Sequence, residues 1–367
     1  MHHMLVFLRS TDCHPDSRLQ KYTDYMDHNN KSYHVVGWDR YLKVEDAERY
    51  TYYHRDAKHG QGVKNLLSMF FFNWFILRYL WKHRKEFNII HACDFDTIMP
   101  AIIMKLLFRK RVIYDIFDWF VDSRNFNNKI LKSIILSLEK FCLKRADVVV
   151  ICDEERILQL NHVPKVLWVL PNIPHFNQSE LQLESTTDGQ ESLVLSYVGV
   201  LSDDRGIDNL LEVVKTMPDI KLNIAGFGIL EPKVKAYSEK YENIHFYGSV
   251  PYPVGLNIMN QSDIIVAFYE KKVKNNIYAA PNKYYESLFL QKPLLTTAGT
   301  AVGNKVEKYR TGFAIEEDIN SLRTFLSDFS KNEFYFEMLS NAATLWSSQY
   351  VQYVDVFMHN YYLKFLQ

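Results

Sequence analysis

Residues able to hold a phosphate and a sugar hydroxyl stand close together in Ala279-Ala280-Pro281-Asn282-Lys283-Tyr284-Tyr285-Glu286-Ser287-Leu288. The stretch reads as a loop, then a helix over residues 283–290. After Gln291-Lys292-Pro293 comes an apolar run, Leu294-Leu295-Thr296-Thr297, of the kind buried in a parallel sheet. Pro281 suits a first helical turn, where its missing N–H is not needed. The helix N-terminus offers unpaired N–H groups to an anion, with Asn282 and Lys283 beside it and Glu286 in the first turns. Diphosphate oxygens suit those N–H groups and a carboxylate suits ribose hydroxyls, so the arrangement fits a nucleotide sugar. An ordinary βα unit with a surface glutamate shows the same pattern, and only context separates the two.

Further candidates stand where strands give way to loops. Asn88-Ile89-Ile90-His91-Ala92-Cys93-Asp94 and Val112-Ile113-Tyr114-Asp115 each read as a strand reaching an aspartate, and the second continues Ile116-Phe117-Asp118. The carboxyl ends of strands hold the chemistry of α/β enzymes, which makes Asp94, Asp115 and Asp118 candidate cleft polars. Loop aspartates that cap helices look alike. The loop after the first strand contains Asp16-Ser17-Arg18, where Arg18 is either a site cation or a solvated arginine at a helix start. Later, Gly199-Val200-Leu201-Ser202-Asp203-Asp204-Arg205-Gly206 follows a strand over 193–198. Arg205 is the best cation for phosphate oxygens, which a guanidinium binds bidentately; a surface ion pair with Asp203 or Asp204 is the other reading. Gly226-Phe227-Gly228 follows the strand over 221–225, and Gly248-Ser249-Val250-Pro251-Tyr252 follows residues 243–247.

Two sets of strands and helices are needed to position these residues. A length of 367 residues points to about two domains, and 47% hydrophobic content is enough for a sizeable core. Strands are expected over 4–9, 33–38, 88–93, 112–115, 147–152 and 166–170. Helices are expected around 19–29, 63–87, 95–107 and 129–145, with another starting at Asp153. This is the order of a doubly wound, Rossmann-like domain, taken to span 1–174. Polar residues over 175–192 mark a linker. A second domain over 193–346 repeats the order, with helices over 208–217, 254–261 and 321–346 and a loop, helix and strand over 303–314. A last helix is expected near 351–367.

Formal net charge is zero, yet residues 1–170 hold 26 Lys+Arg against 20 Asp+Glu and the remainder 17 against 23. A surplus of +6 in the first half points to an anionic partner there; no nucleic-acid partner is expected. Cys13, Cys93, Cys142 and Cys152 fit neither a metal spacing nor a disulfide framework, and no paired-ligand metal motif appears. The N-terminal apolar run is too short for a signal peptide, and a reduced cytosol is the expected compartment. Residues 63–87 are unusual: the run 66–81 is aromatic and apolar nearly all round, is interrupted by Asn73 and Arg78, and is followed by Lys82-His83-Arg84-Lys85. It is short of the ~20 residues a membrane span requires. It is either a core helix or a helix whose exposed face meets the inner surface of a membrane peripherally.

In order and in their residues, these pieces resemble retaining glycosyltransferases of family 4, whose GT-B fold has two facing Rossmann-like domains. The 279–288 stretch is similar to the family's donor segment, where two glutamates lie eight positions apart. Glu286 corresponds to the second, expected on the ribose, while Tyr278 replaces the first. The segments Asp16-Ser17-Arg18, Gly37-Trp38-Asp39-Arg40, His91-Ala92-Cys93-Asp94, Tyr114-Asp115-Ile116-Phe117-Asp118 and Pro171-Asn172-Ile173-Pro174 look like family signatures of the first domain. Phe117 stands where the family commonly has a histidine. In the second domain the family has a Gly-Arg-Leu start and a Lys-Gly or Arg-Gly pair. Val200 replaces the first cation and Arg205 retains the second. The resemblance also implies that the last helix, near 351–367, returns to pack on the first domain.

The resemblance implies transfer of a glycosyl group, with retention, from a UDP or GDP sugar to an acceptor hydroxyl in polysaccharide or glycolipid biosynthesis. Donor contacts are expected at Gly199, Arg205, Gly226, Gly228, Tyr252, Tyr278, Asn282, Lys283 and Glu286. Arg205, Asp118 and Asp94 are expected at the reacting groups, and Asp16, Arg18 and Asp115 on a carbohydrate or lipid-linked glycan acceptor. Neither a metal nor another cofactor is expected, so charge on the leaving diphosphate is met by Arg205, Lys283 and helix N-termini. A donor phosphate oxygen that takes the acceptor proton removes the need for a dedicated base. Two other classes stay open: an epimerase or phosphorylase of the same architecture, and a non-catalytic partner subunit altered at Phe117, Val200 and Tyr278.

Overall fold

The computed structural model describes residues 4–13, 16–57, 63–124, 128–160, 162–175, 183 and 192–367. Most of the linker expected at 175–192 lies outside the described residues. The chain divides into two compact units, one of Met1–Pro171 with Val354–Gln367 and one of Asn172–Tyr353.

The first unit is built on seven parallel strands: β1 (Met4–Leu8), β2 (Tyr33–Asp39), β3 (Tyr50–His54), β4 (Phe87–Cys93), β5 (Arg111–Ile116), β6 (Val148–Ile151) and β7 (Leu167–Val169). Their order is β3-β2-β1-β4-β5-β6-β7. Continuous apolar runs such as Leu5–Leu8 and Val148–Ile151 are buried on both faces, as a helix-covered parallel sheet requires. The helices are α1 (Ser17–His28), α2 (Val63–Lys82), α3 (Phe95–Phe108) and α4 (Lys129–Arg145). Asp16 caps α1, its side chain accepting from the Arg18 and Leu19 N–H groups, and Asn128 caps α4 in the same way. Residues 153–160, expected to open a helix, make a short 3₁₀ helix over Glu154–Gln159.

Helix α2 is buried along one face and exposed along the other. Phe72, Ile76 and Leu80 are fully buried in the sheet's core, while Leu67, Phe70, Phe71, Trp74 and Trp81 are exposed. Among the described residues no helix is long and apolar enough to cross a membrane.

The second unit has six parallel strands: β8 (Leu193–Val200), β9 (Ile220–Phe227), β10 (Ile244–Phe246), β11 (Ile264–Ala267), β12 (Leu294–Thr297) and β13 (Gly312–Ile315). They run β10-β9-β8-β11-β12-β13. The helices are α5 (Ile207–Val214), α6 (Glu231–Lys240), α7 (Tyr252–Asn260), α8 (Lys274–Ile277), α9 (Asn282–Leu290), α10 (Ala301–Tyr309), α11 (Ile319–Asp328) and α12 (Glu333–Leu345). The single helical stretch expected over 321–346 is interrupted. Phe329 turns extended at φ −65°, ψ 132°, and Asn332 caps a new helix. The last helix is also broken, into α13 (Tyr353–Phe357) and α14 (Leu363–Leu366) about a π turn.

In each sheet the strand order reverses once, between β1 and β4 in the first unit and between β8 and β11 in the second. Crevices for ligands form at the carboxyl ends of strands where the order reverses. The loops that leave these four strands are therefore where each unit's site is sought.

Candidate functional site

In the second unit, β8 ends at Gly199-Val200 and β9 at Gly226-Phe227, paired in register. The strand ends approach so closely that only glycine fits. A Cβ on Gly226 would lie 1.8 Å from the Gly199 carbonyl oxygen, and one on Gly228 would lie 2.3 Å from that of Leu201. Their φ values, +149° and +151°, also disfavour any side chain. The backbone is thereby bared at the ends of β8 and β9.

Helix α9 starts at Asn282, one residue earlier than the sequence suggests. Pro281 is the cap just outside it, extended at φ −72°, ψ 145°, rather than part of the first turn. The Asn172 side chain donates to the Ala280 carbonyl at 2.8 Å and fixes the approach. Glu286 is buried in α9, and its Oε2 accepts from Lys283 Nζ at 2.9 Å. Tyr252, at the start of α7, is pushed up by burial and by its hydrogen bond to Glu286. Lys283 Cε lies 3.9 Å from where a Gly199 side chain would begin. The fold thus gathers Gly199, Tyr252, Lys283 and Glu286, which the sequence spreads over almost ninety positions. A cation, a carboxylate and bare backbone at a helix N-terminus can bind a diphosphate beside a diol.

Arg205 lies in the β8–α5 loop. Its Nη1 donates to Asp204 Oδ2 at 2.9 Å and to Asn276 Oδ1 at 3.0 Å, and its guanidinium lies 4.7 Å from the Tyr269 ring centroid. The ion pair with Asp204, one of the two sequence readings, does form. Asn276 donates in turn to Asp204 at 2.9 Å, so α8 holds the arginine in place. Tyr278 ends α8.

In the first unit, Arg9 leaves β1 and bridges two carboxylates, Asp16 at 2.7 Å and Asp94 at 2.6 Å. Asp94 has φ +63°, a conformation uncommon outside glycine, and caps α3 without a side-chain bond to it. Its Oδ1 instead accepts from the Phe117 N–H at 2.8 Å. Burial pushes the Asp94 carboxyl up to about 6 against the pull of Arg9. Strain and a raised pKa on one residue at a strand end mark a functional candidate. The Phe117 ring lies under both Arg9, at 4.0 Å, and Arg18, at 5.0 Å.

Arg18 and Asp115 sit differently from the sequence expectation of open acceptor ligands. Arg18 is neither solvated nor free for a ligand: its Nη2 meets Asp115 Oδ1 at 2.7 Å and its Nη1 donates to the Leu170 carbonyl at 2.7 Å. Tyr22 donates to Asp115 at 2.8 Å, and His91 Nε2 lies 3.4 Å from the same oxygen. Burial alone would raise Asp115, but Arg18 and then His91 hold it well below the usual range. His91 is lowered by burial and lies 2.8 Å from the Tyr362 hydroxyl through Nδ1. Two buried charges persist here because each satisfies the other. Asp118 is 58% exposed and pairs with Arg156 at 3.1 Å. Arg9 and His91 have no place among the sequence candidates. Arg9 was findable, since it follows a strand end just as Asp94 does.

Residues 179–346 match the model of the family described as glycosyl transferases group 1. The O-antigen biosynthesis glycosyltransferase WbnH of Escherichia coli is 28% identical over 211 residues, 54% of this chain and 57% of that protein. The matched stretch thus spans little more than half the length of this relative. Sucrose-phosphate synthase from Thermosynechococcus elongatus superposes with a TM-score of 0.71 at 15% identity, covering 99% of both chains. HepE of Anabaena in complex with UDP-glucose gives 0.69 at 12% identity, covering 99% of both. WaaG, a glycosyltransferase involved in lipopolysaccharide biosynthesis, gives 0.66 at 14%, covering 96% of this chain and 97% of that one. These likenesses establish the fold, the GT-B architecture expected from the sequence.

Proposed function

We propose that this chain is a retaining glycosyltransferase that moves a sugar from a nucleoside diphosphate sugar to a hydroxyl of a carbohydrate or lipid-linked glycan acceptor in O-antigen or lipopolysaccharide biosynthesis. The observation that carries the reading is the convergence of Gly199, Tyr252, Lys283 and Glu286 at the start of α9. Glu286 accepts from the ribose hydroxyls, and Lys283 and the α9 N–H groups meet the diphosphate. Arg205, held by Asn276, faces the charge that builds on the leaving phosphate. A UDP donor is favoured by the HepE complexes, whose ligands are UDP and UDP-glucose. Asp16 and Asp94, oriented by Arg9, serve the acceptor and the reacting groups in the first unit.

The site of action we propose is the inner membrane surface. Ile130, Ile134, Leu138 and Phe141 form one exposed stripe on α4, at the i, i+4, i+8 and i+11 spacing of a single face. Lys129, Lys132, Lys140, Lys144 and Arg145 lie on the same helix, the pattern of a helix that binds an anionic interface. The exposed aromatics of α2 extend the apolar surface of this unit.

A melting-temperature panel with UDP, GDP and ADP tests the donor half. A nucleotide at 100 times its Kd adds about 2.7 kcal/mol, and UDP is expected to give the largest shift. No shift with any nucleoside diphosphate, together with no release of sugar from UDP-sugars, would end the proposal.

A further inference from the structure

Most charged groups at the carboxyl ends of the first unit's strands cancel locally. Arg9 has Asp16 and Asp94, Arg18 has Asp115, and Arg156 has Asp118. Lys21 does not follow this pattern. It is only 2% exposed, and it makes no hydrogen bond or salt bridge with any described residue. It follows Arg18 by three positions in α1, so the two side chains share a helix face. Arg18 adds a like charge there while its own donors are committed to Asp115 and Leu170. Asp115 and Asp16 act on Lys21 at a distance, but each already accepts from an arginine.

A buried ammonium without a counter-ion is costly, and methionine would fill the same volume without that cost. Burial, then Arg18, lowers Lys21 to about 7, so it holds its proton only half the time near neutrality. An incoming anion removes the penalty, restores the proton and balances the surplus positive charge of this half of the chain. A neutral hydroxyl does none of these things.

We propose that Lys21 binds an oxyanion on the acceptor, either the carboxylate of an acidic sugar or a phosphate ester. This deepens the proposed function, since it rests on the first unit being the acceptor half. The test is isothermal titration of the whole chain with glucuronate, glucose 1-phosphate and glucose, in wild type, Lys21→Met and Lys21→Arg. Anions that enter the second unit contribute equally to all three proteins, so only the difference reports on Lys21. At pH 6.5 at least one anionic probe should bind wild type and Lys21→Arg tenfold or more tighter than Lys21→Met, as charge-assisted hydrogen bonds do. Glucose should not distinguish them.

Wild-type affinity for glucuronate should also fall ~fivefold from pH 7 to 8, as an amine with pKa near 7 gives up its proton, and Lys21→Met should lack that slope. Preference for glucuronate assigns the carboxylate source, and preference for glucose 1-phosphate assigns the phosphate source. Equal anion binding by wild type and Lys21→Met, or no anion binding by wild type, overturns the proposal. UDP binding by the same proteins is read separately, so failure of the donor reading is not confused with failure here. The melting temperature of Lys21→Met, expected at or above wild type, shows that the variant is folded.

Discussion

Under the proposed function the helix start that carries Glu286 also faces phosphates, and there Lys283 and Tyr252 hold its charge. Replacing it with glutamine keeps the shape and one acceptor oxygen, and a partial loss of donor affinity is expected. Glu286→Ala should cost on the order of 2–3 kcal/mol, as hydrogen bonds to charged groups do. A 2′-deoxyribose donor should lose affinity with wild type and much less with the alanine variant. An identical deoxy penalty in both proteins would remove Glu286 from the ribose.

Glu139, on the inner face of α4, is a different kind of carboxyl: it is 0% exposed, and among the hydrogen-bonding groups of the described residues only the Phe120 backbone opposes the effect of its burial. Burial pushes it up to about 8. Its folded pKa lies above its unfolded one, so its contribution is complete at low pH and is lost as pH rises toward 8. Glu139→Gln should therefore melt higher than wild type at pH 8 and show a flatter profile between pH 5 and 8. Parallel profiles for the two proteins would contradict this. Polar residues at strand ends were visible from residue type and position alone. Their availability was not, because only packing shows that Arg18 and Asp115 consume one another while Lys21 is left without a partner.

At the scale of elements, the strands and most helices could be read from the sequence because buried parallel strands are plain apolar runs. The exceptions have physical reasons. Tyr50-Thr51-Tyr52-Tyr53-His54 lacks such a run and becomes an edge strand only by pairing with β2. The two-sided use of α2 depends on which face the sheet covers.

The turn after β9 is set by backbone space, so Gly226→Ala and Gly228→Ala should each destabilise the second unit by several kcal/mol, through overlap and positive φ together. Chemical denaturation measures this, and a change below ~1 kcal/mol for either would count against the described turn. For α4, wild type should sediment with anionic liposomes at low salt and be released as salt screens the contact. Ile134→Glu should weaken that binding at every ionic strength without lowering the melting temperature, since Ile134 is exposed. Wild type that stays in solution at all salt concentrations would leave the stripe unexplained.

Across the whole molecule, the two-sheet plan was readable from the repeated strand–helix order, while the return of the last helix to the first unit was expected from the family resemblance rather than from any pattern in the residues. The last part of that unit comes from Val354–Gln367, after the whole second unit has intervened. Trp168 on β7 meets Phe357, Tyr361 and Phe365 edge-on or tilted, Arg111 lies over Phe365, and Tyr362 reaches His91. Tyr362→Phe should cost about 1 kcal/mol by leaving the buried His91 ring nitrogen unsatisfied. Deleting 354–367 should cost far more and should unfold the first unit ahead of the second in a thermal scan. A truncated chain that keeps both transitions at their wild-type temperatures would contradict this.

Synthesis runs from the first residue onward, so a ribosome that has made 353 residues has finished the second unit and not the first. The emerging chain must keep seven strands waiting for fourteen residues still to come. Any product that stops short, by nonsense mutation, stalled translation or proteolysis at its tail, lacks the fastening on the half that begins the chain. Such a product is open to degradation, because the strands made first lack the segment that completes their unit.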